Sequence, residues 1–100
     1  MANVKEVVDK IIKDNKVAVF SKSYCPFCKK AKDLLKKLGI DFYSIELDLE
    51  SNGAAIQDYL LEKTGQRTVP NIFVNEEHIG GCDKLFEANE SGKLQQIIRA

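Results

Sequence analysis

The sequence predicts a small α/β fold in which one mixed sheet is covered by helices on both faces. The first observation is that helix-like and strand-like segments alternate, in the order α-β-α-β-α-β-β-α. The second is a short apolar, β-branched segment, VAVFS, which is typical of a buried parallel strand. The third is a pair of short strand-like segments around the dipeptide EE, which predicts an antiparallel hairpin. A parallel βαβ unit joined to a hairpin follows from these features.

The first helix is predicted near residues 4–14, where apolar residues recur at helical spacing. Asn3 followed by Glu6 resembles a capping box, with Asn in the N-cap position. The VAVFS segment places the first strand at residues 17–21.

A second helix is predicted to begin in residues 25–28, because Pro26 fits a first turn, where its missing N–H costs no hydrogen bond. Gly39 supplies the C-terminal stop of this helix. Alternating apolar residues then predict a strand at 42–47, and helical spacing predicts a third helix at about 53–63.

The C-terminal third is predicted to hold the hairpin and the last helix. Its strands are expected at residues 71–74 and 77–79. Asp83 is predicted to cap the helix that follows the two glycines, and Ser91 or Gly92 to divide that helix from a last turn or two.

Length and composition exclude several classes of protein. The chain has the length of one domain, and we expect residues 1–100 to fold as a single unit. Hydrophobic residues make up 44% of it, enough for a core that needs no disulfide or metal. Fifteen basic residues balance fifteen acidic ones, and no apolar segment is long enough to span a bilayer. Nucleic acid and membranes are therefore not expected as partners.

The N-terminal segment does not have the pattern of a signal peptide, because Glu6 and Asp9 fall where an uncharged core would be needed. Three cysteines are an odd number, and too few for the disulfide scaffold of a secreted domain. We therefore expect a reducing compartment, with the cytoplasm as the default location.

The sequence Cys25-Pro26-Phe27-Cys28 allows three interpretations. A structural zinc site is disfavoured, because one CxxC pair with a distant Cys82 and a distant His78 does not match the usual two pairs of ligands. Two inert packed thiols are the second interpretation, because cysteine is among the most buried residue types. The third is thiol chemistry, since cysteines three residues apart on one helical turn lie close enough for a disulfide.

The surroundings of the pair favour thiol chemistry. Cys25 would lie at the start of a helix, where unpaired N–H groups and the macrodipole favour a thiolate. Lys22 adds a positive charge nearby. Cys28 would lie one turn inside the helix and be better shielded. We therefore predict that Cys25 is the nucleophile and Cys28 the resolving thiol.

Two longer segments, KSYCPFCKKAKDLL and GQRTVPNIFVNEEHIGGCDKL, resemble the dithiol class of glutaredoxins, which has a thioredoxin-like fold. The resemblance runs in order from Val17 to the C-terminus. It implies a glutathione-dependent disulfide oxidoreductase whose partners are glutathione, glutathionylated or disulfide-containing proteins and, indirectly, glutathione reductase. We expect a monomer that needs no metal. The family most often has Tyr at the position of Phe27. Phenylalanine keeps the aromatic ring but lacks the hydroxyl.

The resemblance also implies a glutathione groove beside the two cysteines. Thr68, Val69 and Pro70 would form one wall, with a cis Val69-Pro70 bond, and the Val69 backbone would pair with the cysteinyl part of glutathione. Tyr24 and Phe27 would adjoin the cysteines.

The two carboxylates of glutathione require donors at both ends of this groove. Lys22 and Gln57 match family positions that face the glycyl carboxylate, and Arg67 is a further cation. An ordinary exposed helix residue is the alternative interpretation of Gln57. At the other end, Gly81, Cys82 and Asp83 open a helix whose backbone N–H groups suit the γ-glutamyl carboxylate. The Asp83 side chain would receive the γ-glutamyl ammonium.

Other features favour structural roles. We expect the lysines that follow the cysteine pair to form mostly a solvated helix face. His78 is expected to have no catalytic role, and Cys82 to be a small packed residue that could be oxidised. The lysines are Lys29, Lys30, Lys32, Lys36 and Lys37.

Two functions other than glutathione-dependent reduction stay open at this point. Some glutaredoxins hold a two-iron cluster between two subunits, although in the family a proline after the first cysteine, here Pro26, disfavours it. A reductase served by a flavoprotein, as in thioredoxin, is disfavoured by the absence of tryptophan and of a WCGPC-type site.

Overall fold

The structure is a computed structural model that describes residues 3–100. None of the helices in that range is both long and apolar enough to cross a membrane. The secondary-structure elements are α1 (Val4–Asp14), β1 (Val17–Ser21), α2 (Pro26–Lys37), β2 (Tyr43–Glu46), a 3-10 turn (Leu47–Leu49), α3 (Gly53–Thr64), β3 (Asn71–Val74), β4 (Glu77–Gly80), α4 (Cys82–Ser91) and α5 (Lys93–Arg99).

The four strands form one mixed sheet in the order β2-β1-β3-β4. Strands β1 and β2 run parallel, with Phe20 opposite Ile45. Strand β3 runs antiparallel to β1 and also to β4, which completes the predicted hairpin. The predicted mixed sheet, built from a βαβ unit and a hairpin, is confirmed.

Alternate residues of β1 point to opposite faces of the sheet, because side chains in a strand repeat with a period of two. Val17 and Val19 belong to a core cluster beneath α2, α4 and α5, which includes Leu35 and Leu85. The other face packs on α1 and α3, through Ala18, Phe20, Val8, Ile12, Ile45, Leu47, Ile56, Leu60 and Phe73. Helices therefore cover both faces, as the sequence predicts.

The ends of α1 and α2 follow the predicted signals. The Asn3 side chain accepts a hydrogen bond from the Glu6 amide at 2.9 Å, as an N-cap residue should. At the end of α2, Gly39 has a φ of +73°, and its N–H donates to the Lys36 carbonyl at 3.0 Å. The Ile40 N–H reaches back to Leu35, also as expected for a helix that ends at a left-handed glycine.

Strand β2 is one residue shorter at each end than the sequence predicts, because the chain turns into a 3-10 helix at Leu47. The Leu47 side chain is buried beneath α3. The turn brings the Leu47 carbonyl against Gly53, where an added Cβ would lie only 1.8 Å from that oxygen. Close packing at this junction therefore requires a residue without a side chain.

Candidate active site

Cys25 lies between the end of β1 and the first turn of α2, where it is the N-cap residue. The Cys28 backbone N–H donates to the Cys25 Sγ atom at 3.2 Å. Pro26 occupies the start of the helix, as predicted. Because the first N–H groups of a helix lack partners within it, a sulfur atom at this position receives a hydrogen bond that stabilises negative charge. Cys25 is half-buried, so its thiol remains within reach of a substrate.

Cys28 is fully buried one turn further into α2. Burial, together with the neighbouring Cys25, raises the pKa of the Cys28 thiol to about 11. The structure therefore makes the two thiols unequal in the direction that the sequence predicts: one is accessible at a helix start, and the other is shielded and held protonated at neutral pH.

We expect iodoacetamide to alkylate Cys25 well before Cys28 at neutral pH, because only the accessible thiol can react without a local opening of α2. Alkylation of Cys28 should accelerate about tenfold for each pH unit up to about 11, since the thiolate is the reactive form. Mass spectrometry of tryptic peptides after timed quenching would measure both rates. Equal labelling of the two cysteines at pH 7 would contradict this difference in environment.

The loop before Cys25 is tied to the 3-10 turn by Asp48, a contact that the sequence analysis missed. The Asp48 carboxylate accepts a hydrogen bond from the Ser23 hydroxyl and another, at 2.8 Å, from the Ser23 amide. These bonds hold the pKa of Asp48 below its usual value. Within the same loop the Cys25 N–H donates to the Lys22 carbonyl at 3.1 Å, so the backbone leading to Cys25 is fixed at two points.

A groove with a volume of about 510 Å³ lies beside the cysteine pair. Seven residues that the sequence analysis proposed as ligands line it, although they come from three separate segments. They are Phe27, Thr68, Val69, Pro70, Gly81, Cys82 and Asp83. Two further lining residues, Gln66 and Lys84, were not predicted from the sequence.

The wall nearest Cys25 is the segment from Thr68 to Pro70. The Val69-Pro70 bond is cis, as the resemblance implied. The Cys25 Sγ atom lies 3.8 Å from the Val69 carbonyl oxygen, so the groove begins at the accessible thiol.

The start of α4 forms another wall of the groove. The helix begins at Cys82 with Gly81 as its N-cap residue, and no side chain supplies a capping hydrogen bond. The prediction that Asp83 caps this helix was wrong, because the N-cap residue is Gly81, two residues earlier, and Asp83 lies inside the first turn. The exposed Asp83 carboxylate therefore remains available at the groove, beside backbone N–H groups that have no partner within the helix.

The other proposed ligands do not line this groove. The Gln57 side chain donates to the Arg67 backbone carbonyl at 2.7 Å, and the Arg67 guanidinium pairs with Asp58 at 2.6 Å. Lys22 is half-buried in the loop before Cys25, and Tyr24 is 64% exposed at the surface.

Cys82 has the packed environment that the sequence predicts, and His78 is partly buried in the hairpin. Cys82 belongs to the core cluster beneath α4, and burial raises the pKa of its thiol. His78 is half-buried on β4, with its Nε2 atom 2.9 Å from Oδ1 of the buried Asn71. Burial lowers the pKa of this imidazole.

The lysine-rich face of α2 is only partly solvated. Lys29 pairs with Asp33 on the surface, at 2.9 Å. Lys32, by contrast, forms a mostly buried ion pair with Glu46 on β2, so the prediction of a solvated face does not hold for this residue. Lys32 differs from the exposed Lys29 because its side chain reaches Glu46 at the edge of the sheet.

The described part of the chain, residues 3–100, contains no group of three or more His, Cys, Asp or Glu side chains arranged to hold a metal ion.

An accessible thiol at a helix start, a shielded partner three residues later and a four-stranded mixed sheet define a thiol-disulfide oxidoreductase with a thioredoxin-like fold. The family model for glutaredoxin matches residues 17–79. The chain belongs to the glutaredoxin family.

Similar proteins support this assignment over the whole chain. Glutaredoxin-1 of Rhizophagus irregularis is 53% identical over 100 residues, which cover 100% of this chain and 99% of that protein. Glutaredoxin-C2 of Arabidopsis thaliana is 49% identical over 98% of this chain and 85% of its own length. The crystal structure of a buckwheat glutaredoxin-glutathione complex superposes with a TM-score of 0.94 at 45% identity, covering 96% of this chain and 87% of that one.

Proposed function

We propose that this protein uses glutathione to reduce protein-glutathione mixed disulfides and protein disulfides, through Cys25-Pro26-Phe27-Cys28. The observation that carries the proposal is that the accessible Cys25 thiol lies 3.8 Å from the Val69 carbonyl, at the edge of a groove suited to a short peptide. The buckwheat relative, of nearly the same fold, forms a complex with glutathione.

The middle of the groove suits the cysteinyl residue of glutathione. Val69 belongs to a segment whose backbone can pair with an extended ligand as a neighbouring strand would. A ligand sulfur bound at this point would lie beside the Cys25 Sγ atom, because the Val69 carbonyl already lies close to it. Phe27, 59% exposed, supplies an apolar surface at the same edge.

The α4 end of the groove suits the γ-glutamyl group. Its carboxylate would accept hydrogen bonds from the free backbone N–H groups that follow Gly81, where the helix dipole also favours negative charge. The exposed Asp83 carboxylate is available for the ammonium group, because it is not used as a helix cap.

We assign the glycyl carboxylate to the end of the site near Lys22, Gln57 and Arg67. The Gln57 amide and the Arg67 guanidinium already have intramolecular partners, the Arg67 carbonyl and Asp58. The Arg67–Asp58 pair is exposed on both sides, so a guanidinium of this kind exchanges partners at little cost. Lys22 supplies the remaining positive charge on this side of Cys25.

The first half-reaction needs only Cys25. Its thiolate attacks the glutathione-side sulfur of a mixed disulfide, the new sulfur–sulfur bond forms, and the substrate leaves as a thiolate that takes a proton from water. A second glutathione thiolate then attacks the glutathione sulfur on Cys25. This step releases oxidised glutathione and restores the Cys25 thiolate, and a separate reductase recycles the product.

Protein disulfides require Cys28 as well. Cys25 attacks one sulfur of the substrate and forms a mixed disulfide with the protein, and Cys28 attacks Cys25 to release the reduced substrate. Because burial raises the pKa of Cys28 to about 11, this thiol reacts only when its proton is removed during the attack. Glutathione then reduces the resulting Cys25–Cys28 disulfide.

The direct test compares reductants. The reduction of a glutathionylated peptide should be rapid with NADPH, glutathione and glutathione reductase. It should be negligible when thioredoxin reductase replaces glutathione and glutathione reductase. Oxidation of NADPH reports the rate at 340 nm. Turnover with thioredoxin reductase alone, and none with glutathione, would overturn the assignment of glutathione as the reductant.

The partners and location that follow from this function are proposals of the same kind. We propose a monomer that acts in a reducing compartment such as the cytoplasm, on glutathionylated or disulfide-containing proteins. Glutathione reductase would act on the released product, without binding this chain.

A further inference from the structure

Gln66 lines the groove, yet its side chain faces the protein backbone. It follows Gly65, the left-handed residue that ends α3, and it precedes the Thr68–Pro70 wall. Its Nε2 atom lies 2.9 Å from the Thr68 carbonyl oxygen and 2.9 Å from the Pro70 carbonyl oxygen. One amide group therefore holds two carbonyls of the same short segment.

The two carbonyls that Gln66 holds flank Val69, the residue beside Cys25. Because both are engaged, the segment on either side of Val69 has a fixed direction. The Val69 carbonyl remains directed toward the Cys25 Sγ atom, at 3.8 Å. The position of the wall relative to the nucleophile thus depends on the carboxamide of a residue that lies outside the wall.

The backbone N–H and the backbone carbonyl of Gln66 both form hydrogen bonds to side chains. Its N–H donates to the Thr64 hydroxyl at 3.0 Å, and that hydroxyl donates to the Leu60 carbonyl in α3 at 2.8 Å. Its carbonyl accepts from Nδ2 of the buried Asn71 at 3.5 Å, and Oδ1 of Asn71 accepts from His78 at 2.9 Å. The backbone of Gln66 is therefore connected to α3 on one side and to β3 and β4 on the other.

We propose that Gln66 is a positioning residue for the reduction of glutathione mixed disulfides. It orients the Val69 backbone so that the glutathione-side sulfur lies in line with the Cys25 thiolate. This inference rests on the proposed function, since it assigns a role within the same groove. Gln66 need not touch glutathione to act in this way.

The expected size of the effect follows from the two hydrogen bonds. Each such bond contributes modestly to the preferred geometry, and a small misplacement of a reacting atom slows attack strongly. We expect Gln66→Met, which keeps the length but has no donor, to lower kcat/KM for a glutathionylated peptide about tenfold. Gln66→Glu should lower it by at least as much, because its carboxylate would face two carbonyl oxygens.

The experiment pairs that turnover with the rate at which iodoacetamide alkylates Cys25, a reaction that does not use the groove. For a positioning role, kcat/KM falls about tenfold while alkylation of Cys25 stays within about twofold of wild type. Gln96→Met is the matched control, because Gln96 is exposed on α5, and it should change neither rate.

Three results would overturn the inference. They are unchanged kcat/KM in both Gln66 variants, an equal fall in turnover and alkylation, and unfolding of both variants at the assay temperature. The last two would make Gln66 a structural residue only, and circular dichroism on heating detects the unfolding. If wild type itself fails to use glutathione, the proposed function fails instead, so the two failures are distinguishable.

Discussion

Replacing Cys25 by serine is expected to abolish reduction of both glutathione mixed disulfides and protein disulfides. The hydroxyl keeps the size of the thiol but cannot form the covalent intermediate, and loss of an enzymatic nucleophile lowers turnover on the order of a thousandfold or more. The glutathione-coupled assay measures the loss, with circular dichroism to show that the fold is intact. A Cys25→Ser variant that kept even a tenth of wild-type turnover would be incompatible with Cys25 as the nucleophile.

Cys28→Ser is the matched comparison, because the two substitutions make the same chemical change three residues apart. Because the proposed function gives Cys28 only the role of resolving thiol, this variant should keep the reduction of a glutathionylated peptide and lose the reduction of a protein disulfide. Equal loss of both reactions in the two variants would exclude a step that uses Cys25 alone.

The largest effect on stability is expected from Gly53→Ala. An added Cβ would lie 1.8 Å from the Leu47 carbonyl oxygen and 2.8 Å from the Leu47 carbonyl carbon, both of them backbone atoms that cannot turn aside. Either α3 or the 3-10 turn has to move, and we expect the free energy of unfolding to fall by about 3 kcal/mol or more. Urea denaturation followed by circular dichroism measures the change.

Gly81→Ala provides the control for that measurement. An added Cβ there would meet the Pro70 carbonyl oxygen at 3.6 Å, an ordinary contact, and the Gly81 φ of −93° suits any residue. We expect it to cost about 1 kcal/mol or less, mainly because alanine is a poor N-cap residue. Similar losses in the two variants would show that close approach to Leu47 is not what requires glycine at position 53.

Local signals in the sequence were sufficient to predict the elements that carry the site. Pro26 after Cys25 marks the start of α2, and Gly39 marks its end, because each residue restricts the backbone only over its own turn. The unequal environments of Cys25 and Cys28 follow from that placement. The cis Val69-Pro70 bond was instead implied by the resemblance, since spacing alone does not select between the two isomers.

The contacts that were missed join residues distant in sequence or depend on a boundary shift of one or two residues. The Ser23–Asp48 bonds span 25 positions, and they form only because β2 ends early in a 3-10 turn. Lys32 reaches Glu46 because that side of α2 faces the sheet. Asp83 was assigned as a cap because the N-cap of α4 was placed two residues too late.

Side-chain hydrogen bonds in and around the groove could not be predicted from the sequence. Gln66 stands beside the TVP segment, but nothing in its spacing indicates that one carboxamide holds two carbonyls. Gln57 and Arg67 were assigned to the ligand, although the structure joins the Gln57 side chain to the Arg67 backbone. Such pairings depend on side-chain rotamers, which a pattern of residue types does not specify.

A single turnover of the Cys28→Ser variant tests the central claim most directly. The reduced variant is mixed with one equivalent of a glutathionylated peptide in the absence of free glutathione, then quenched with acid and analysed by mass spectrometry. We predict one glutathione in disulfide linkage to Cys25 and one equivalent of the peptide released as a free thiol. The peptide on Cys25 with glutathione released, or no transfer at all, would contradict attack by Cys25 on a sulfur that the groove has positioned.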